Sequence, residues 1–175
     1  MPLTESRKAR HLVAGATILA LASAVAVATA ASASAAPPHG QPDFEPFVLP
    51  ADQACAGFDL SLGGIEDKRA INELHNGVLI EAGNGWNLTF TNLNNHKEIM
   101  LPSNGSVMKT TFTSSDTRTV QATGNNIVIL FPTDTPAGPS TKLYTGRIVY
   151  TVAPGEVFTV QSTSGRTTDI CALLA

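Results

Sequence analysis

Four carboxylates lie on or beside stretches of alternating sequence, Asp59, Glu81, Glu98 and Asp169. Two acids facing each other across a cleft are what glycoside hydrolysis requires. Their spacing singles out no pair, and charges along strands ordinarily guard edges against unwanted pairing. Beyond the first 35 residues the histidines are His39, His75 and His96. The first stands among prolines and the others beside asparagines in turn-like sequence, without the clustering that zinc needs. Serine catalysis calls for a nucleophile in a strained turn, and Gly-x-Ser-x-Gly does not occur. Asp116, Asp134 and the asparagine pairs offer oxygen atoms to calcium, but not at EF-hand spacing. No catalytic residue, cofactor site or metal site is therefore expected. A small hydrolase whose acids or histidines converge only in the fold is the alternative.

The two cysteines, Cys55 and Cys171, bracket nearly all the sequence that reads as folded. Neither has a close Cys or His neighbour that would make it reactive. Pairing them closes a loop of roughly 116 residues and removes about 4 to 5 kcal/mol of denatured-state freedom in the chain-entropy model. Such a bond belongs to an oxidising compartment, and the N-terminal segment agrees. Arg7, Lys8 and Arg10 precede an uncharged run over residues 12–30 and the small residues 31–36, the order of an export signal. Signal peptidase accepts small residues at the first and third positions before the cut, as in Ala33-Ser34-Ala35, so cleavage is expected after Ala35, with Ala36 and Ala33 as neighbouring positions. The apolar run is mostly alanine and partitions weakly into lipid, so no stable membrane insertion is expected after cleavage. Leu101-Pro102-Ser103-Asn104-Gly105 departs from a sortase signal at Asn104. The expected location is secreted, extracellular.

The signal takes three of the 11 Lys and Arg and one of the 14 Asp and Glu, leaving a net charge of −5 on the remainder. That balance argues against nucleic acid as a partner. Residues 36–53 contain Pro37, Pro38, Pro42, Pro46 and Pro50, which deny helix and ladder hydrogen bonds and read as an extended linker. From residue 54 to 175 period-two alternation dominates, clearest where Trp86, Leu88 and Phe90 alternate with Asn87, Thr89 and Thr91. Strands are expected near 58–62, 78–82, 86–91, 99–101, 106–113, 117–123, 127–131, 143–152, 157–162 and 167–173. Turns are expected at Asn94-Asn95, at residues 124–126 and at Ser164-Gly165. Residues 127–131 are uninterrupted apolar sequence, which predicts a central strand covered on both sides. The Pro-containing segment 132–139 is expected to carry the chain from one sheet to the other, and residues 67–74 show a helical turn through Ile71 and Leu74. About nine or ten strands at this spacing imply an all-β, single-domain antiparallel β-sandwich, with a flattened barrel as the alternative.

Ala54-Cys55 with Phe58-Asp59-Leu60, Phe90-Thr91-Asn92-Leu93 with Lys97 after the turn, Thr145-Gly146-Arg147-Ile148-Val149, and Gly165-Arg166 ahead of Asp169-Ile170-Cys171-Ala172-Leu173-Leu174 together resemble a group of small secreted β-proteins common in actinobacteria. The resemblance covers residues 55–175. It implies an export signal followed by one disulfide-closed β-domain, and it carries no established activity. The leading functional expectation is a non-catalytic extracellular binding module for a protein, glycan or envelope component. Its binding surface is expected around Phe44, Phe47, Trp86 or Tyr144, although the phase of Trp86 favours the apolar face. A structural cell-surface role is the further alternative.

Overall fold

Four strands pair antiparallel in the order β1-β2-β5-β6: β1 (Phe44–Leu49), β2 (Leu60–Ile65), β5 (Asn87–Asn92) and β6 (Glu98–Pro102). Six form a second antiparallel sheet, β10-β9-β8-β7-β4-β3: β3 (Lys68–Glu73), β4 (Leu79–Asn84), β7 (Ser106–Phe112), β8 (Arg118–Leu130), β9 (Ser140–Ala153) and β10 (Val157–Asp169). A short helix, α1 (Ile170–Leu174), follows β10. This computed structural model describes residues 43–113 and 116–175. The segment expected to be an export signal, residues 36–42 and His39 lie outside the described residues. Neither sheet closes on itself, so the architecture is an all-β sandwich.

Alternation explains the small sheet. Leu60 and Leu62 on β2 and Leu88 and Phe90 on β5 are buried, and they form the main core with Phe58, Ala54, Cys55, Ile170 and Leu174. The long strand β8 supplies the opposite wall: Ile127 and Ile129 pack against this core, while Val128 and Leu130 belong to a second cluster. The strand expected to be covered on both faces is so covered, third in a sheet of six.

Several segments differ from their sequence expectation. Within residues 67–74 the chain forms β3 (Lys68–Glu73) rather than a helical turn, because Ile71 stands opposite Glu81 in the ladder with β4 and one isolated turn has little stability in water. The linker reading fails over Phe44–Leu49, which pairs with β2 as an edge strand. Phe44 stands opposite Gly64 and Phe47 opposite Leu62, so Glu45 and Pro46 share one partner position. Proline needs no ladder hydrogen bond at such a bulge. The chain does not turn at residues 124–126 or at Ser164-Gly165, since both lie inside the long strands β8 and β10. The end of the chain is helical, so Cys171 lies in α1 and not in a last strand. Segment 132–139 joins β8 to β9 within one sheet instead of crossing between sheets.

What that segment does instead reveals the shape of the large sheet. It leaves β8 at the end where Leu130 faces Ser140, the same end of the ladder as Asp169 opposite Lys142. Yet Thr135 bridges Thr159, and buried Asp134 accepts hydrogen bonds from the Phe131 and Phe158 N–H groups at 2.6 and 2.8 Å. Thr159 lies ten residues up β10 from Asp169, about 33 Å along an extended strand. These ends meet only if the sheet doubles over. Gly124, Gly146 and Gly165 are register partners across β8, β9 and β10, with φ of +85°, +139° and +98°. Such angles are open to glycine and strained for other residues. A Cβ on Gly146 would also strike the Ser164 carbonyl oxygen. Across this row Ala122 and Ile148 on one side meet Val128, Leu130 and Tyr144 on the other in the second core cluster.

The Cys55–Cys171 disulfide ties the turn before β2 to α1 across a sequence separation of 116. Asn92 and Asn95 donate to the Leu174 carbonyl, both at 3.0 Å, and thereby satisfy a helix-end acceptor. Asp169 caps the other end by accepting from the Ala172 N–H at 3.0 Å. Fully buried Thr141 donates to the Ala54 carbonyl at 3.0 Å, bringing β9 into the same junction.

Two outcomes follow for stability. Gly146→Ala is expected to lower the unfolding free energy in urea by about 2 to 4 kcal/mol. Gly155→Ala, at a turn where φ is also positive (+84°) but no atom lies near the added carbon, should lose only about 1 to 2 kcal/mol; equal losses would show that the row has no special steric role. Replacing both cysteines by serine should lower stability by about 4 to 5 kcal/mol on the same assay.

Candidate functional site

Three of the four aromatic residues expected at a binding surface come together. Phe44, Glu45 and Phe47 of β1, Leu62 of β2, Trp86 just before β5, Leu88 of β5, and Ile127 and Ile129 of β8 line a largely apolar cavity of about 440 Å³ between the two sheets. A second cavity of about 360 Å³ shares Phe47, Ile127 and Ile129 and extends past Leu49 and Phe131 to Tyr150 and Phe158. The shared lining makes one apolar cleft beside edge strand β1. Its volume falls in the range of small-molecule sites. Phe47 stays 46% exposed along it.

The local sequence builds the cleft in steps. The bulge at Glu45 and Pro46 offsets Phe44 from Phe47 on β1, and their rings lie 5.9 Å apart. Phe44 seats itself over Gly64, where any Cβ would collide with its ring. Trp86, at the crossing from β4 to β5, meets the Phe44 ring edge-on with centroids 5.4 Å apart and an interplanar angle of 87°. The Arg69 guanidinium stacks over Trp86 at 4.6 Å from the ring centroid. Arg69 is itself held by Asp67 at 3.0 Å and by Glu81 at 3.2 Å. The hydrogen bonds that Arg69 donates to the Asp67 carboxylate raise the Arg69 pKa above its ordinary value against the opposing effect of burial. The indole ring is thus fixed on two sides. Its Nε1 is buried, and no described residue accepts from it. Leaving a buried donor unmade costs about 1 to 3 kcal/mol, so the position calls for an explanation.

Arg69 and Asp67 were not legible as site residues. Their spacing puts them on one face of a strand, but that face is recognisable only once residues 67–74 are known to be extended. Tyr144 does not join the surface: it is buried in the second core cluster with Ile148 and Leu130. Trp86 follows its sequence phase and packs half-buried against the main core.

The acids and histidines remain apart. Asp59 accepts from the Ala51 N–H at 2.7 Å, Glu81 pairs with Arg69, Glu98 accepts from the Thr91 hydroxyl at 3.2 Å and Asp169 caps α1. Asp134 is engaged by two backbone N–H groups, and Asp116 is an exposed turn residue at φ +56°. His75 and His96 are exposed in separate turns. In the second turn the asparagines act as acceptors, Asn92 for the Asn94 N–H and Asn95 for the Lys97 N–H, each at 2.9 Å. The positive φ expected of Asn94-Asn95 falls instead on His96. Among the described residues no three His, Cys, Asp or Glu side chains are placed to share a metal ion.

Burial pushes the phenol of Tyr144 upward, and that of Tyr150 too, where the Glu81 carboxylate adds to the effect and Arg118 opposes it. These are the only two tyrosines in the chain. The native state therefore keeps protons that the unfolded chain releases near pH 10, and stability should fall as pH rises above about 10. Tyrosinate absorbance should appear together with unfolding in an alkaline titration. Full ionisation of a still-folded protein at about pH 10 would contradict this.

No family model, no curated protein and no solved structure matches this chain.

Proposed function

We propose that this chain is a secreted, non-catalytic binding module whose ligand, an extracellular or envelope component, enters the apolar cleft beside β1. The observation that carries the reading is the convergence of Phe44, Phe47 and Trp86 on one cavity that also takes residues from β8 of the other sheet. An apolar cleft with few polar groups suits binding better than bond cleavage. The disulfide is in keeping with an oxidising destination and with the small secreted actinobacterial β-proteins that the sequence resembles.

The sole tryptophan supplies the readout. Titration of the disulfide-intact protein with diphenylhexatriene, an uncharged hydrocarbon fluorophore, should change Trp86 emission saturably at one probe per chain. Phe47→Glu alters an exposed side chain and should leave folding intact, while weakening the probe about tenfold or more. Absence of a saturable signal, or binding unaffected by Phe47→Glu, would overturn the proposal.

A further inference from the structure

We infer that the free edge of β10 pairs with the same edge of a second copy of this chain, joining the two large sheets about a two-fold axis at Gly165. The inference is independent of the cleft and its ligand. It starts from a difference among the sheet edges. An open edge offers unpaired backbone N–H and C=O groups to any strand, and charges, proline, bulges or short length ordinarily block it. The edge strand β1 has its bulge at Pro46, β6 is five residues long and ends in Pro102, and β3 carries Lys68, Arg69 and Glu73. Along β10 a loop covers the edge only at Thr159, where the Thr135 N–H donates to the Phe158 carbonyl and the Val160 N–H donates to the Thr135 carbonyl. From the bulge at Gln161 through Thr167 every residue is exposed, with Arg166 the single charge and no proline. The Ser164 carbonyl lies against Gly146 of β9, so antiparallel alternation turns the backbone groups of Thr163, Gly165 and Thr167 outward.

The bend decides which strand fits this edge. A partner laid along it must change direction where Gly124, Gly146 and Gly165 align, at φ values that glycine tolerates and other residues do not. A second copy brings a glycine to that place. A two-fold axis normal to the sheet preserves the sense of the bend and sets Gly165 opposite its own counterpart. Thr163 of each copy then stands opposite Thr167 of the other, and about six backbone hydrogen bonds close the ladder. Threonine pairs are favourable across strands, and Arg166 falls opposite Ser164 rather than opposite its own copy. The contact is small and polar, so the dimer dissociates on dilution.

Sedimentation equilibrium of the disulfide-bonded protein at low salt, up to about 1 mM, should show reversible dimerisation. Ser164→Arg places like charges opposite each other on both sides of the axis and should weaken the dimer about 3- to 10-fold, whereas Ser164→Asp places a carboxylate opposite Arg166 and should strengthen it by a similar factor. Ser164 is exposed, so neither change should alter circular dichroism or the thermal midpoint. The chain is net negative, and general charge repulsion would order the two variants the other way round. A protein that stays monomeric at about 1 mM overturns the inference. So does a dimer that neither substitution moves, or that they move in the reverse order.

Discussion

The doubling of the six-stranded sheet on its glycine row is the constraint on which the other arrangements hang. A strand of ordinary twist as long as β8 would project well beyond the small sheet and leave both its faces in water. With Gly124, Gly146 and Gly165 aligned across three strands, the ladder changes direction without losing its hydrogen bonds. One face of the bent portion then closes on itself around Tyr144 and Ile148, and the other presents Ile127 and Ile129 to β1 and β5. Asp134 holds the bend because its carboxylate joins two backbone donors, Phe131 and Phe158, that come from opposite ends of the ladder.

The second fastening is at the chain's far end. Helix α1 is too short to be stable alone, and it is held by a covalent bond to Cys55, by two asparagine amides on the Leu174 carbonyl and by burial of Ile170 and Leu174. This junction and the glycine row act on different parts of the molecule. One fixes the small sheet to β9 and the chain end; the other shapes the large sheet. The walls of the cleft come from both sheets.

Edge strand β1 gives the cleft its character. A bulge at Pro46 spares the ladder a missing donor, and Gly64 makes room for the Phe44 ring. The aromatic side chains of β1 are consequently only partly covered, and Trp86 is locked in place by an ion-paired arginine while its N–H stays unsatisfied.

Period-two alternation was enough to recognise an all-β sandwich, to find the phase of Trp86, Leu88 and Phe90, and to pair Cys55 with Cys171, since each rests on local pattern or on the count of cysteines. Phe44, Phe47 and Trp86 were also legible as surface candidates, because large aromatics in Pro-rich or Asn- and Thr-rich sequence stand out. Local pattern misled where tertiary pairing overrides it: five prolines hid a bulged edge strand, the hydrophobic spacing of Ile71 and Leu74 mimicked a helix, and the glycines at 124 and 165 looked like turns when they were the hinge of continuous strands. Tyr144 and Tyr150 have similar sequence surroundings, and only the bend decides that both are packed inward. Convergence of β1 and β8 on one cleft was likewise settled by tertiary structure alone. Alternation states which way a side chain points from its own strand, whereas the strand opposite depends on long-range ladder register and on how the sheet curves.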